Sequence, residues 1–318
     1  MSSEMLPTKE SCQAIQLADP TQKLLEDVME CLDYSPPERC YNMDELGLRT
    51  PEALCDFAVS APFQLLSEAC VDAMREELSS KAVQEYCKFS NARTPCTLRG
   101  VSQYCPIIKA VWSSQSVTDI VSSIAGLRLK PIMDYELGVC NVPDSRGDDV
   151  LVDDWHRDSY PFVAIVMLTD PSGVLGGETA IQQGDGSILP ISFPSAGSCV
   201  VLQASVCDEG QQVLHCGRRA VGATSAERIT MVTSYVPADP LLPDRSVLRG
   251  PRPVSDCSLL YHQWACYRLT SLQAQAQSHL EALQRKADGK LGPADVQEMK
   301  QRMLEMASFL QASAAELQ

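Results

Sequence analysis

The sequence is short of positive charge. Its 26 lysines and arginines stand against 41 aspartates and glutamates, which gives a formal net charge of −15. Nucleic-acid-binding domains normally carry a basic patch, and proteins drawn to anionic membranes carry basic segments. Neither a nucleic acid nor a membrane is therefore an expected partner. The acidic excess is most simply a solubility feature.

Long hydrophobic runs are also absent, and no stretch is long enough to span a bilayer. The opening residues Met1-Ser2-Ser3-Glu4 are polar and lack the basic start and apolar segment of a secretory signal. The expected location is the cytoplasm. Hydrophobic residues make up 45% of the 318 residues, which is enough to bury a sizeable core.

Close cysteine pairs are missing, although the chain has 14 cysteines between Cys12 and Cys266. No C-x-x-C pair occurs, whereas zinc sites usually contain one, and disulfide frameworks belong to small secreted chains. The favoured interpretation is free, mostly buried thiols in a reducing compartment.

The pattern of apolar and turn-forming residues changes twice along the chain. This pattern predicts a mainly β core with α additions. Residues 1–128 favour helices packed on that core, with candidates at Thr21–Leu32, Ala61–Ser79 and Ser116–Ile124. Residues 129–240 contain short β-like runs separated by turn residues, which is typical of an antiparallel double-stranded β-helix (jelly roll). The candidate strands are Pro131–Asn141, Phe162–Leu168, Glu178–Ile181, Ile188–Phe193, Ser198–Gln203, Val213–Cys216 and Arg228–Val236.

Residues 256–318 predict a C-terminal helical hairpin broken at Asp288-Gly289. Apolar residues recur every three or four positions on both sides of that break. They are Leu269, Leu272, Ala276, Leu280 and Leu283, then Val296, Met299, Met303, Met306 and Leu310. These stripes favour packing on the β core, and the alternative is a homodimer contact through the C-terminal helices.

Histidine is scarce, and two of the four histidines belong to one pattern, Trp155-His156-Arg157-Asp158 followed by His215. Side chains two apart on an extended strand point to the same face, which places His156 beside Asp158. If His215 returns on a later strand, two imidazoles and one carboxylate share a face. That ligand set holds Fe(II) with positions left open, whereas a structural zinc site uses four protein ligands.

Arg228 begins a strand-like run in which alternation places Thr230 on the same face. An inward guanidinium is costly to bury without an anionic partner. The planar fork of arginine grips a carboxylate with two parallel hydrogen bonds, so a small dicarboxylate is the expected partner, with Thr230 adding a hydroxyl bond. Arg218 and Arg219 are rivals for this role and are interpreted as solvated loop charges.

The remaining polar and aromatic residues near the motif have plainer interpretations. Thr179 belongs to a turn that enters a strand, with a place near the co-substrate as the alternative. Trp155 and Tyr160 favour the core over the rim of the site. The pattern leaves open which way Tyr135 and Asn141 face. His262 and His279 are interpreted as ordinary helix residues.

The order H-x-D, a distant H and then R on a strand resembles the Fe(II)/2-oxoglutarate-dependent dioxygenases, over roughly residues 98–236. The wider context is similar to a fungal branch associated with secondary metabolism. It comprises Met133-Asp134-Tyr135-Glu136-Leu137-Gly138, Trp155-His156-Arg157-Asp158-Ser159-Tyr160-Pro161-Phe162, Gly176-Gly177-Glu178-Thr179 and Glu227-Arg228-Ile229-Thr230.

By this resemblance, His156, Asp158 and His215 are the iron ligands, and Arg228 anchors the distal carboxylate of 2-oxoglutarate. The implied enzyme is an oxidoreductase that uses Fe(II), 2-oxoglutarate as co-substrate and O2. It would oxidise a C–H bond of a small molecule, with amino acids among the candidates, by hydroxylation, desaturation or ring closure.

Two other functions fit the same residues. One is a non-haem iron oxidase that uses no 2-oxoglutarate, in which Arg228 and Thr230 grip a substrate carboxylate, as an R-x-S-like pair does in isopenicillin-synthase-type enzymes. The other is a non-catalytic jelly-roll protein with a structural metal, whose helical tail recruits a partner.

Overall fold

The structure, a computed structural model, describes residues 28–91, 94, 96–142, 151–172, 175–204, 213–218, 220–221, 228–286 and 289–318. The strands are β1 (Cys40–Asn42), β2 (Phe57–Ser60), β3 (Phe63–Gln64), β4 (Lys88–Phe89), β5 (Thr97–Leu98), β6 (Leu129–Pro131), β7 (Val139–Asn141), β8 (Leu151–His156), β9 (Phe162–Met167), β10 (Leu175–Gly176), β11 (Thr179–Gln182), β12 (Ile188–Ile191), β13 (Ser198–Gln203), β14 (His215–Arg218), β15 (Ala220–Val221) and β16 (Thr230–Pro237). The helices are α1 (Glu68–Ser79), α2 (Lys81–Tyr86), α3 (Pro106–Ser113), α4 (Gln115–Ala125), α5 (Cys257–Gln284) and α6 (Pro293–Ala315).

The strands form two main antiparallel sheets. The large sheet has the order β1-β2-β13-β9-β16-β7-β5-β4, with β3 also beside β13 and β6 beside β16. The small sheet has the order β12-β11-β14-β8, and β10 and β15 form a separate pair. From β7 to β14 the chain passes repeatedly between the two sheets, which places strands from distant parts of the sequence side by side.

Strand β9 shows how the large sheet divides the core. Phe162, Ala164 and Val166 belong to one cluster of buried residues, which includes the apolar faces of α1 to α4. Val163 and Ile165 belong to a second cluster, which the small sheet completes from the other side. Because alternate side chains of a strand point to opposite faces, a continuous apolar run is required where both faces are covered.

Helices α1 and α4, both before residue 128, begin at capping serines. The Ser67 and Ser114 hydroxyls accept hydrogen bonds from the backbone N–H groups of Cys70 and Val117, at the starts of α1 and α4. Gly126 ends α4 with φ 64°, a conformation that suits glycine. The predicted helix Ser116–Ile124 is confirmed within one residue at each end, and most of Thr21–Leu32 lies outside the described residues.

Two predicted elements are wrong in extent. The predicted helix Ala61–Ser79 begins only at Glu68, because Phe63–Gln64 pairs with β13 and the Leu66 N–H donates to the Gly197 carbonyl. The predicted strand Pro131–Asn141 is interrupted by a 3-10 turn at Asp134–Glu136. In both cases backbone groups find partners in distant segments, which local periodicity does not encode.

The C-terminal hairpin is present, but its buried face differs from the predicted stripes. On α5, Leu260 and Trp264 are fully buried in a cluster that also contains Ile132 and Val236. Much of each predicted stripe is exposed instead: Leu269 57%, Leu280 47%, Val296 52%, Met303 62% and Leu310 43%. The aromatic residues, which bury more apolar area, decide which face of α5 packs on the core.

None of the twelve cysteines in the described part of the chain is in a disulfide, and ten of them are buried or half-buried, as predicted. Among the described residues, no helix combines the length and apolar character needed to cross a membrane.

Candidate metal centre and its cavity

Three side chains with metal-binding groups meet where β8 ends and β14 begins. His156 is the last residue of β8 and pairs with His215, the first residue of β14. Asp158 follows two residues after β8. Its Oδ1 lies 3.4 Å from Nε2 of His156, and its Oδ2 lies 3.4 Å from Nε2 of His215. The structure thus brings these predicted residues together, with ligand atoms within 4.8 Å of one another.

Both imidazoles are oriented through their other ring nitrogen. Nδ1 of His156 lies 2.6 Å from the carbonyl oxygen of Asp154, and Nδ1 of His215 lies 3.2 Å from that of Val213. Because a carbonyl oxygen only accepts, this pairing places the proton on Nδ1 and leaves the lone pair on Nε2. Metal-ligating histidines almost always donate their second N–H in this way. The donor set therefore fits a divalent metal ion.

Arg228 lies two residues before β16 and is 6% exposed. Its Nε donates to the carbonyl oxygen of Gly177 at 2.6 Å, and its Nη2 donates to the Thr179 hydroxyl at 3.1 Å. Nη1 donates to the Thr230 hydroxyl at 3.4 Å, a long contact. These contacts fix the orientation of the guanidinium plane. They also bring the two predicted residues, Arg228 and Thr230, into contact with each other.

The three candidate metal ligands and Arg228 line one cavity between the two sheets. The large sheet contributes Val139, Asn141, Val163, Ile165, Thr230, Val232 and Ser234. The small sheet contributes His156, Thr179, His215, Cys216 and Gly217. Gly250, Pro251 and Val254, from the connector between β16 and α5, line it as well. The candidate metal ligands and Arg228 are therefore accessible from one cavity.

Arg99, Glu136 and Tyr160 form a second polar cluster in the wall of this cavity. Arg99 is 8% exposed and Glu136 2%, and Nη2 of Arg99 donates to Oε1 of Glu136 in a close ion pair. The Tyr160 hydroxyl donates to the same Oε1 at 2.9 Å, and Nε of Arg99 donates to the Ser255 hydroxyl at 3.0 Å. Burial raises the pKa of Glu136, and the Arg99 guanidinium opposes that rise.

Sequence reasoning missed this cluster. Arg99 lies in the run Thr97-Leu98-Arg99-Gly100, which carries no recognisable pattern. Glu136 lies in the motif at residues 133–138, but the motif alone does not indicate a function for its carboxylate. The one usable signal was Tyr160, which continues the two-residue spacing of His156 and Asp158. It is buried, as predicted for a core aromatic, and its hydroxyl contacts Glu136.

The other candidate residues fall in three groups. Thr179 bonds Arg228, and Asn141 lines the cavity. Arg218 ends β14 and is not among the described residues that line the cavity, and Arg219 lies outside the described part. Tyr135, His262 and His279 also lie elsewhere: the Tyr135 hydroxyl accepts from the backbone of Asp256, and both histidines are on α5.

No family model matches the chain, and no curated protein matches it. Solved structures do match, at low sequence identity. The non-haem alpha-ketoglutarate-dependent carbocyclase SnoK from nogalamycin biosynthesis is 15% identical, with a TM-score of 0.43 over 61% of this chain and 86% of that chain. A prolyl hydroxylase from Trichoplax adhaerens, in complex with a hypoxia inducible factor peptide, is 11% identical, with a TM-score of 0.40 over 69% of this chain and 94% of that chain. A 2OG-Fe(II) oxygenase family oxidoreductase from Burkholderia pseudomallei is 15% identical, with a TM-score of 0.37 over 52% of this chain and 77% of that chain.

Proposed function

We propose that this chain is a non-haem Fe(II)/2-oxoglutarate-dependent dioxygenase that oxidises an unactivated C–H bond of a small molecule. The observation that carries the proposal is the convergence of His156, Asp158 and His215 in a cavity that also contains a buried arginine. Two imidazoles and one carboxylate are the ligand set of non-haem iron oxygenases, and they leave coordination positions open. A closed structural zinc site would use a fourth protein ligand.

His156, Asp158 and His215 would hold the iron, and the carbonyl contacts at Nδ1 would keep both rings in place. Arg228 would bind the distal carboxylate of 2-oxoglutarate, because it is buried in the same cavity and its plane is fixed by Gly177 and Thr179. Thr230 would add a hydroxyl bond to that carboxylate. A buried fork of this kind favours a planar carboxylate over a water molecule.

The bound iron, together with 2-oxoglutarate and O2, would supply an oxidant strong enough to attack an unactivated C–H bond. The outcome would be hydroxylation, desaturation or ring closure. The share of the chain is to position the substrate carbon, to hold the co-substrate and to exclude water. Val163, Ile165 and Val232 provide the apolar surface for that exclusion.

The proposal extends to the architecture and the setting. The eight strands β7, β8, β9, β11, β12, β13, β14 and β16 would be the double-stranded β-helix, within a core of residues 129–240. Residues 1–128 would pack around it, although β1 to β5 also extend the large sheet. Residues 256–318 would form the helical region.

We place the enzyme in the cytoplasm and, on the sequence motif alone, in fungal secondary metabolism. A homodimer through the C-terminal helices stays a prediction.

The test is a titration of the purified protein with Fe(II) under anaerobic conditions, followed by 2-oxoglutarate. A visible charge-transfer band should appear when 2-oxoglutarate chelates the bound iron, and succinate should be released when O2 and a substrate are added. Oxygen consumption without a 2-oxoglutarate requirement would favour the iron oxidase instead. A tightly bound metal with no 2-oxoglutarate band would favour the non-catalytic binding protein.

A further inference from the structure

Arg99 and Arg228 both line the cavity, but they adjoin different strands of the large sheet. Thr97 on β5 and Thr230 on β16 both pair with Asn141 on the strand between them. Arg99 follows Thr97 by two residues, whereas Arg228 precedes Thr230 by two, and β5 and β16 run in the same direction. At about 3.3 Å per residue and about 4.8 Å between strands, their α-carbons lie roughly 16 Å apart. The two guanidiniums also have different partners, Glu136 and Ser255 for Arg99 and Gly177 and Thr179 for Arg228, so they form two separate polar groups in the cavity wall.

Two of the three nitrogens of the Arg99 guanidinium, Nε and Nη2, donate hydrogen bonds to described residues, whereas Nη1 does not. Nε donates to Ser255 and Nη2 donates to Glu136, so two contacts set the plane of the group. Among the described residues, none accepts a hydrogen bond from Nη1 of Arg99, and none donates one to Oε2 of Glu136. Neither atom is among the buried side-chain polar atoms without partners in the described part, which are Glu178 Oε2, Tyr235 Oη and Arg252 Nε.

The wall of the cavity therefore offers one cationic donor and one anionic acceptor side by side. Arg99 and Glu136 both line the cavity, and their charges cancel. A ligand with a single charge would leave one uncompensated charge in a buried site, which is costly. A ligand group that carries both charges satisfies the two free atoms and adds no net charge.

We propose that Arg99 and Glu136 bind the amino-acid end of a small zwitterionic substrate, with its carboxylate on Nη1 of Arg99 and its ammonium on Oε2 of Glu136. This inference rests on the proposed function and names the substrate class for the same cavity. Tyr160 holds Glu136 and lies two residues from Asp158, so the bound group lies beside the metal centre. The side chain of the substrate then extends along the apolar wall at Val163 and Val232.

The test uses the anaerobic Fe(II)–2-oxoglutarate form of the full chain. The probes are the standard L-α-amino acids, the N-acetyl derivative of each and the amine that results from its decarboxylation. Binding is measured by calorimetry and by the change of the visible band. We expect at least one free amino acid to bind, and its two derivatives to bind at least about 100-fold more weakly, because a site built to bond polar groups rejects analogues that lack them.

Variants separate recognition from a purely structural role. Arg99→Gln/Glu136→Gln removes both charges together, so no unpaired buried charge remains to unfold the protein. This double variant should keep the 2-oxoglutarate band and its thermal unfolding midpoint but lose amino-acid binding. Arg99→Lys keeps a cation beside Glu136 and loses the free Nη1, so it should weaken binding in part. Arg49→Gln is the matched control, because Arg49 pairs with acidic residues on the exposed surface.

Each outcome decides the inference. If the wild-type protein forms the 2-oxoglutarate band but no free amino acid binds at millimolar concentration, the inference is overturned and the proposed function stands. If an amino acid binds the double variant as tightly as the wild type, the cluster is structural and the inference is overturned. If the wild-type protein forms no band, the proposed function fails, and the inference fails with it.

Discussion

His156 and His215 occupy paired positions across β8 and β14, with ring centroids 4.3 Å apart and an angle of 54° between the ring planes. The antiparallel pairing of the two strands therefore brings together histidines that are far apart in sequence. Asp158 completes the group from the segment that follows β8. The proposed metal site thus requires that β8 and β14 remain paired.

Replacing Asp158 should abolish iron binding and leave the fold intact. Asp158→Ala removes one of the three proposed ligands, and loss of even an outer partner of a ligand costs about 10–100-fold in metal affinity. We expect Fe(II) affinity to fall by more than about 100-fold, measured by anaerobic titration, with unchanged circular dichroism. Asp72→Ala, which removes an exposed carboxylate on α1, is the control. Stoichiometric iron in Asp158→Ala would contradict the assignment.

Replacing Arg228 should separate metal binding from co-substrate binding. Arg228→Ala removes the cation proposed to bind the distal carboxylate of 2-oxoglutarate, and loss of a buried partner of this kind costs about 2–5 kcal/mol, or about 30-fold or more in affinity. The 2-oxoglutarate titration of the Fe(II) form measures this loss, while Fe(II) affinity should stay the same. Arg218→Ala, outside the described cavity lining, is the matched control. Unchanged 2-oxoglutarate affinity in Arg228→Ala would show that another cation holds the co-substrate.

The start of α5 depends on Asp256. Its carboxylate accepts from the backbone N–H groups of Ser258 and Leu259. The Ser258 hydroxyl bond and then these backbone bonds lower the pKa of Asp256. Asp256→Ala should reduce the free energy of unfolding at neutral pH by about 1 kcal/mol.

The pH dependence of this cap has a defined sign. A lowered pKa in the folded state means that the stabilisation is present above the pKa of the unfolded state and is lost as the pH falls through the folded pKa. The difference between wild type and Asp256→Ala in urea unfolding should therefore vanish in strong acid. Asp72→Ala, at an exposed position on α1, should show no difference at either pH. If the difference in unfolding free energy between wild type and Asp256→Ala is the same at neutral pH and in strong acid, the capping role of Asp256 is contradicted.

A buried ion pair joins the C-terminal helices to the connector. Arg268 is 3% exposed, and its Nη1 donates to Oδ2 of Asp244 at 2.7 Å, while its Nε donates to the Ser313 hydroxyl. Arg268→Ala leaves the Asp244 carboxylate without its cationic partner and should cost about 3–5 kcal/mol in the free energy of unfolding. Arg302→Ala removes exposed pairs on α6 and should cost less than about 1 kcal/mol. If urea unfolding shows equal losses of unfolding free energy in the two variants, the buried pair stabilises the protein no more than the exposed pairs do.

The thiols should differ sharply in their reactivity. Burial raises the pKa of Cys87 to about 11 and that of Cys105 to about 12, and the thiolate is the reactive form. Alkylation of the native protein at pH 8 should modify exposed Cys266 and leave Cys87 and Cys105 unmodified until denaturant is added. Peptide mass spectrometry reads the sites. Early modification of Cys105 would show that α3 opens under native conditions.

The strands of the core were predictable to within a few residues where apolar runs are bounded by turns. Ser198–Gln203 matches β13 at both ends, and Phe162–Leu168 differs from β9 by one residue. The stripes on α5 and α6 were less informative. Periodicity finds an amphipathic helix, but it does not say whether Leu269 or Trp264 faces the core when both lie at suitable spacing.

The sequence by itself determined the order of His156, Asp158, His215 and Arg228, because ligand type and two-residue spacing are local properties. Only the tertiary structure placed Arg99 against Glu136 in the same cavity. That pairing depends on the register of β5 and β7 and on a connector that brings Ser255 to the guanidinium. Contacts between distant segments arise from the packing of the whole chain, and no local pattern of residues encodes them.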